Sequence, residues 1–426
     1  MGKLWERLFL AERPSIGMAF FRIAVAVSTG TYLIPTFFSL DRTYLSTAFK
    51  TYNPSFFTTD ALALVQKSPD GLVVFAVWLF CLAWFCFLIG LFSQLSCILM
   101  TFCCYYFYAL NNFAMGTLTW DILMVTLVLM CVTPYHGDYF SVDCLRRGDR
   151  EAYRRARPFF QQRLFQLQIA FIYFYTGLYK ITAEGNWLTD KPLYYLMNYP
   201  VQGVTKNFLL KDFLAGQPQL CYWIGVLIVA VELAMPFLLF NPRTRRSGIY
   251  LGFLFHILLI LTLDVPAIFF FLFPAQLLLF IDPEDVIRWV ADKRDNNRRS
   301  RRMKIIYDGH CRFCQASVKQ LEIMDLFGAL EMVDFHSADD LKQLHPQLTK
   351  ELAHSQLHAI DWDGELTGGF FAFRRCCLLL PMLYLLLPIV YFPGAALLGP
   401  VIYKAIAKNR YLFHGNRACK DNVCYR

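Results

Sequence analysis

The sequence predicts a polytopic, all-α membrane bundle of about eight transmembrane helices, followed by a C-terminal α/β domain. Three observations predict this architecture. Of the 426 residues, 57% are hydrophobic and 17% are charged, whereas a soluble globular protein carries about a quarter charged residues. Apolar runs long enough to cross a bilayer recur up to about residue 280, and the composition changes to that of a mixed α/β segment after residue 302.

Eight apolar runs account for the membrane bundle, because a helix needs about 20 apolar residues to cross the hydrocarbon core. A short turn near Gly90–Gln94 joins the second and third runs, and Asp264–Pro266 joins the seventh and eighth. The predicted spans begin near Met18, Gly71, Ser93, Leu118, Leu164, Leu220, Gly248 and Pro266.

Basic residues predict the orientation of these spans. Seven arginines lie between residues 135 and 163, three more follow the sixth span, and Arg and Lys are dense from Arg288 to Lys304. With eight spans and a cytoplasmic N-terminus, all three segments are cytoplasmic, as the positive-inside rule requires. The C-terminal domain is therefore predicted to be cytoplasmic. The charged N-terminus, interrupted by Pro14, is not expected to form a cleavable signal peptide.

Domain boundaries follow from the same pattern. We predict a transmembrane domain at residues 1–287, a basic linker at 288–302 and a soluble domain at 303–426. The polar stretch Asp292–Arg302 lacks apolar periodicity, and its charge could also attract anionic lipid head groups. The net charge of +9 is interpreted as an orientation signal, so the lipid bilayer is the expected partner and nucleic acid is not.

One apolar segment of the soluble domain, Cys376–Leu398, is long enough to span. Pro381, Pro388 and Pro393 interrupt it, however. Spanning would also export the basic tail, Lys404–Arg426, against the positive-inside preference. We favour a broken helix that packs against the soluble domain or the membrane surface.

The soluble domain shows a β-α-β…β-β-α order. Its first strand is rich in β-branched residues, and Asp363-Gly364 is a hairpin turn signal between the last two strands. This order predicts a thioredoxin-like sandwich. The predicted elements are a strand at Met303–Tyr307, a helix from about Phe313 to Phe327, and strands at Leu330–Phe335, Leu357–Trp362 and Glu365–Thr367.

Two cysteines, Cys311 and Cys314, stand where the first strand turns into the helix. A cysteine at a helix N-terminus meets the positive end of the helix dipole and unpaired N–H groups, which favour its thiolate. Cys311 is therefore the predicted nucleophile, and Cys314 is placed one turn on to resolve a mixed disulfide. Positive charge on His310 and Arg312 is expected to lower the pKa of the Cys311 thiol further.

The same segment resembles the DCC family of thiol-disulfide oxidoreductase-like proteins, whose signature is an aspartate followed by two spaced cysteines. Here the signature falls on Asp308, Cys311 and Cys314. The similarity continues through HAIDWDGELTGG at His358–Gly369. It implies a thioredoxin-like fold and a dithiol that acts on a thiol or disulfide substrate, which the sequence does not identify.

A zinc site is the main alternative for these cysteines. Cys311 and Cys314, with Cys419 and Cys424, would supply four thiolates, a ligand set that zinc accepts. The strand-turn-helix setting favours dithiol chemistry, so we assign no metal. An inactive thioredoxin-like module is the remaining interpretation.

Five ionisable residues fall within the predicted spans, where such side chains are costly and often functional. Arg22 is also consistent with snorkelling towards the cytoplasmic face, and Asp121 with a helix cap. Glu232 lies mid-span and must pair or be protonated, which favours an interhelical structural pair. His256 also suits a structural role, whereas Lys180, at the end of a span, is the most informative of the five.

The order YFYTGLYK, which ends at Lys180 and is followed by Trp187, resembles the horizontally transferred transmembrane (HTTM) domain that vitamin K-dependent γ-carboxylases share. Other matching positions are Arg22, Asn111, Asn112, Asp121, Glu232 and His256. In the carboxylases a lysine here deprotonates reduced vitamin K, so the resemblance implies that Lys180 acts as a base. Their neighbouring histidine is Phe113 in this chain, and the DCC-like domain stands in place of their large extracytoplasmic region. The resemblance therefore does not predict γ-glutamyl carboxylation.

We predict a membrane-anchored thiol-disulfide oxidoreductase-like protein in which Cys311 attacks and Cys314 resolves. The first alternative is a membrane enzyme that uses Lys180 as a base on a quinone-like or lipid substrate. In that case a quinone-like ligand in the membrane bundle is the one cofactor the sequence suggests. The second alternative is a non-enzymatic zinc-binding or interaction module.

Overall fold

The computed structural model describes residues 5–50, 59–111, 118–182, 186–199, 204, 208–266, 268–300, 302–337 and 341–409. These residues are largely helical and belong to two compact units. The first unit comprises Met1–Tyr139 and Arg155–Pro283, and the second comprises Phe140–Arg154 and Glu284–Arg426. Four residues singled out in the sequence, Asn112, Phe113, Cys419 and Cys424, lie outside the described residues.

Each of the eight predicted spans corresponds to a helix of the first unit. Helices α1 to α8 are Ile16–Phe37, Asp70–Ile89, Ser93–Leu110, Leu118–Cys131, Phe160–Thr182, Pro218–Phe240, Arg245–Thr262 and Ile268–Leu278. Shorter helices lie at Glu6–Leu10, Leu40–Thr43, Thr59–Gln66, Pro134–Gly137, Pro192–Asn198 and Lys211–Ala215. A two-stranded antiparallel sheet pairs β1 (Glu12–Pro14) with β2 (Ala156–Pro158).

Among the described residues, five helices are long and apolar enough to cross a membrane: α1, α2, α3, α6 and α7. The count of eight spans is therefore not confirmed. Helices α4 and α8 are apolar but have 14 and 11 residues, which at about 1.5 Å per residue is short of a hydrocarbon core about 30 Å thick. Helix α5 has 23 residues, but its glutamines and Lys180 make it more polar than the five.

The outer surface of the first unit is apolar. Trp78, Phe102, Phe171 and Tyr250, on four different helices, are between 66% and 73% exposed. Inside, aromatic side chains such as Phe107 pack in one hydrophobic cluster to which all eight helices contribute. Soluble monomers rarely expose large contiguous apolar patches. The surface of the first unit is therefore suited to contact with lipid.

The second unit is built on a four-stranded sheet in the order β4-β3-β5-β6. Strand β3 pairs with β4 in parallel and with β5 antiparallel, and β5 pairs antiparallel with β6. The four strands occur along the chain close to where the sequence predicts them, whereas their order within the sheet was not predicted. The strands are β3 (Met303–Tyr307), β4 (Leu330–Asp334), β5 (His358–Ile360) and β6 (Leu366–Gly368).

Helices surround this sheet. The main ones are α9 (Pro283–Arg299), α10 (Arg312–Met324), α11 (Phe370–Leu379) and α12 (Ala395–Lys408). Shorter ones lie at Val142–Arg147, Ala152–Arg154, Leu341–Leu344, Lys350–Ser355, Pro381–Leu386 and Leu387–Val390. Helix α11 and the helical segment Pro381–Val390 form a bent pair with an angle of 120°, which is a sixth candidate span if the pair is taken as one.

The bent pair shows the broken helix that the prolines predict. Cys376, Cys377 and Leu380 of this segment are fully buried and pack with strand residues Met303 and Ile305 in the core of the second unit. The segment therefore packs against the sheet domain along one face. Its opposite face is apolar and exposed.

The polar stretch predicted as a linker is helical as far as Arg299, within α9. Glu284 and Asp285 lie in the first turn and Arg298 and Arg299 in the last, so the charges complement the helix dipole at both ends. Val290 is fully buried. The sequence did not show this helix because its apolar side chains are confined to its first half.

The second unit also contains Phe140–Arg154, which the sequence places in the transmembrane domain. Leu145 packs on the same core as α10, and the Gln320 side chain donates a hydrogen bond to the Leu145 carbonyl at 3.4 Å. Arg150 pairs with Glu322. Phe140–Arg154, the middle part of the segment between α4 and α5, is therefore a structural part of the C-terminal domain.

Candidate functional site

The cysteine pair lies at the start of α10. Cys311 takes the N-cap position, and its Sγ accepts a hydrogen bond from the Cys314 backbone N–H at 3.4 Å. A sulfur at this position receives an otherwise unpaired N–H and the positive end of the helix dipole, so its thiolate is stabilised. Cys311 is 3% exposed, and Cys314 is half-buried. The structure therefore brings the predicted pair together on one helical turn, and Cys314 is the more exposed of the two residues.

The loop before Cys311 is held by two aspartates. The Asp308 carboxylate accepts the backbone N–H of His310 at 2.9 Å, and the Asp334 carboxylate accepts that of Gly309 at 3.0 Å. The Cys311 N–H in turn donates to the Asp308 carbonyl at 3.2 Å. Asp308 thus positions the turn that leads into the cysteines.

Gly309 lies so close to Asp334 that a Cβ atom added there would overlap its carboxylate. We expect Gly309→Ala to displace Asp334, to break its hydrogen bond with the loop and to lower the free energy of unfolding of the second unit by about 1–3 kcal/mol. Pulse proteolysis of the full chain in urea measures this change. Gly394→Ala is the matched control, because its nearest neighbour, Phe392, is 3.5 Å away. Equal stabilities of the two variants would show that the loop has room to adjust.

Histidines gather around Asp308. His336 Nε2 lies 3.0 Å from Asp308 Oδ1, and His354 Nδ1 lies 3.7 Å from Asp308 Oδ2. The ring of His310 stacks on that of His336 with 3.9 Å between centroids. Arg312 begins α10 and is exposed.

His336 and His354 were not among the sequence candidates. A signal for His336 was available, because β3 and β4 are parallel and the residues that follow parallel strands meet at one edge of a sheet. Asp308 follows β3 and His336 follows β4. His354 lies in the short helix Lys350–Ser355, and its contact with Asp308 depends on how that helix packs in the tertiary fold.

A further histidine of the domain, His358, belongs to the core. It lies in β5 and is 2% exposed. Burial lowers its pKa below the ordinary histidine value, while a hydrogen bond with the backbone of Gln356 acts in the opposite direction. His358 is therefore a neutral core residue near pH 7 and is not part of the cluster.

In the first unit, Lys180 and Glu232 form an ion pair between α5 and α6. Lys180 Nζ lies 2.7 and 2.8 Å from the two carboxylate oxygens of Glu232. The side chains are 20% and 6% exposed, and the Lys180 ammonium lies 5.4 Å from the ring centroid of Trp187. A Cβ on Gly177 would lie 3.1 Å from that of Glu232. Glycine on α5 therefore permits the close helix approach that forms the pair.

The other ionisable candidates occupy separate positions. His256 Nε2 lies 2.7 Å from the Tyr173 hydroxyl, which is on α5 two turns before Lys180. The Tyr108 hydroxyl donates a hydrogen bond to Asp121 at 3.1 Å. Arg22 is fully buried, which differs from a side chain that snorkels to the surface.

Apolar helices with exposed hydrophobic faces, together with a sheet unit that carries a Cys-x-x-Cys turn, define a membrane protein with a redox-type C-terminal domain. The chain belongs to the HTTM domain family, whose model matches residues 14–284. The model of the DCC1-like thiol-disulfide oxidoreductase family matches residues 305–416. These matches confirm the fusion of the two domains that the sequence motifs indicate.

Among curated proteins, an uncharacterised chloroplastic protein of Arabidopsis thaliana is 30% identical over 93 residues. The aligned region covers 22% of this chain and 44% of the Arabidopsis protein. The chain thus spans less than half of that relative. No solved structure matches the chain.

Proposed function

We propose that this protein is a membrane-anchored thiol-disulfide oxidoreductase with Cys311 and Cys314 as its redox pair. The observation that carries the proposal is the N-cap position of Cys311, whose sulfur faces the N–H of Cys314 in a domain of the DCC1-like family. The sheet order β4-β3-β5-β6, with α10 following β3, supports a thioredoxin-like sandwich.

The exchange needs two steps. The Cys311 thiolate attacks one sulfur of a substrate disulfide, so that a mixed disulfide forms and the other substrate sulfur leaves as a thiolate. The Cys314 thiolate then attacks Cys311 Sγ, which forms the Cys311–Cys314 disulfide and releases the second substrate sulfur. The two cysteine protons end on the two substrate thiols. The substrate gains two electrons and the dithiol loses two, and the reverse reaction oxidises a substrate dithiol.

We further propose that this domain faces the cytoplasm. Phe140–Arg154 lies within the connection between α4 and α5 and forms one compact unit with the C-terminal domain, so the segment and the domain lie on the same side of a membrane. The arginines of that segment favour the cytoplasmic side. There glutathione keeps thiols mostly reduced, so the dithiol would act as a reductant or a redox sensor.

Trapping of the cysteine redox state tests this proposal. Inverted membrane vesicles with the full chain are mildly oxidised and then treated with a membrane-impermeant alkylating reagent. We expect oxidation to protect Cys311 and Cys314 together, and a dithiol reductant to restore alkylation of the pair. A variant with both cysteines changed to serine identifies the signal by peptide mass. A pair that stays alkylatable under all oxidising conditions would refute the redox function, and labelling only after permeabilisation would refute the orientation.

A second candidate function rests on the ion pair of Lys180 with Glu232. A lysine held in a buried site beside a carboxylate can exchange a proton with it when a ligand displaces one partner. Such a site would suit proton abstraction from a quinone-like or lipid substrate. A quinone-like lipid that copurifies with the chain and is lost in Lys180→Ala would support this candidate.

A further inference from the structure

A second group of chemistry-bearing side chains lies beside the dithiol and is not used in the exchange. Asp308, His336 and His354 each offer one ligand atom, and these three atoms lie within 4.8 Å of one another. They come from the end of β3, the end of β4 and the helix Lys350–Ser355. Three separate elements thus converge on one point.

The spacing of these atoms suits a small metal ion. Zinc binds imidazole nitrogen and carboxylate oxygen at about 2.0–2.1 Å, so tetrahedral geometry places its ligand atoms about 3.3 Å apart. The two histidine nitrogens lie 3.0 and 3.7 Å from the oxygens of Asp308. These distances run to two different carboxylate oxygens, Oδ1 for His336 and Oδ2 for His354, so side-chain rotations would bring the three ligand atoms onto one ion.

The surroundings hold the three ligands in place. Asp308 is 8% exposed and accepts the His310 N–H. The His310 ring stacks on His336, and Phe335 packs edge-on against His354 with 4.6 Å between centroids. Contacts of this kind from the residues around a metal site orient the side chains that bind the ion. The side chains of His336 and His354 are 24% and 38% exposed, so an ion can enter from solvent.

We propose that Asp308, His336 and His354 bind a divalent transition-metal ion of the zinc class and leave one coordination position open. Two imidazoles disfavour calcium and magnesium, which take oxygen ligands. Three protein ligands with an open position are typical of zinc sites that bind water or substrate. The site is distinct from a four-cysteine zinc centre, because it uses no sulfur.

Zinc titration of the purified full chain in detergent tests the site. After removal of metal with a chelator, we expect about one zinc ion per chain, with affinity reduced at least about tenfold in His336→Ala and in His354→Ala. His345→Ala is the matched control, because His345 lies in the same domain outside the cluster. The double variant Cys311→Ser, Cys314→Ser should bind zinc as the wild type does.

A cobalt-substituted sample gives an independent readout. Its spectrum should show the visible bands of nitrogen and oxygen ligation without the charge-transfer band of a thiolate ligand. Hydrogen-exchange protection of β3 verifies that each variant is folded. The proposal is overturned if folded wild type takes up no zinc, if both histidine variants bind as tightly as the control, or if only the cysteine variant loses binding. The last result would assign the ion to the dithiol.

Discussion

Replacement of Cys311 with serine is expected to reduce thiol-disulfide exchange to the background level of a variant in which both cysteines are serine. The Cys314→Ser variant is expected to attack its substrate once and to remain joined to it by a mixed disulfide. The reason is the asymmetry of the helix start. The Cys311 sulfur is at the N-cap, where it accepts a hydrogen bond from the Cys314 N–H and lies at the positive end of the helix dipole. Cys314 is the third residue of the helix and is not at the N-cap. A serine at 314 leaves the nucleophile intact but removes the sulfur that resolves the mixed disulfide.

An aromatic model disulfide measures both effects in the full chain. Release of the aromatic thiolate reports the first step, and the intact mass of the protein reports the adduct. Cys311 is 3% exposed, so we expect a small disulfide to react faster than a protein disulfide, which needs a local opening of the loop. An adduct that accumulates on Cys314 in the Cys311→Ser variant would reverse the two roles, and it is the outcome to exclude because Cys314 is the more exposed residue.

The parts of this fold that could be predicted from the sequence are those set by local composition. Lipid demands long apolar helices, and the helices of the first unit begin close to the predicted starts. The position at which a helix ends depends less on local composition. Helix α8, for example, has 11 residues, although the apolar run around it is longer. Helix α9 was missed because its second half, Asp292–Arg299, holds only polar and charged residues, while the buried residues Pro283 and Val290 and the charged ends of the helix stabilise it.

In the candidate sites, too, the features set by local sequence could be predicted and the features set by the tertiary fold could not. Cys311 and Cys314 are neighbours on one turn, so spacing alone predicted their geometry. His336 and His354 approach Asp308 through strand pairing and helix packing, which a motif does not show. In the first unit the sequence indicated that Glu232 needs a partner without naming it. Gly177, three residues before Lys180, was the available signal, because a helix glycine facing a neighbour permits close approach.

Removal of the Glu232 carboxylate is expected to destabilise the first unit strongly. In Glu232→Leu the Lys180 ammonium, 20% exposed and bonded to both carboxylate oxygens in the wild type, is left without its counter-ion. Breaking a buried pair from one side costs about 3–5 kcal/mol, whereas replacing both partners by apolar residues is often close to neutral. We therefore expect the double variant Lys180→Met, Glu232→Leu to recover most of the loss.

Unfolding of the reconstituted chain in a denaturing detergent, followed by helical circular dichroism, measures these differences. Tyr173→Phe is the matched control on the same face of α5: it breaks the hydrogen bond with His256 at 2.7 Å and should cost about 1 kcal/mol. If Glu232→Leu lowers the free energy of unfolding by no more than this control, the Lys180 ammonium is bound by water or a lipid phosphate in the variant. A double variant that is stable but no longer retains a quinone-like lipid would separate the two roles of the pair, because it would keep the packing of α5 on α6 and lose the proton-exchanging groups.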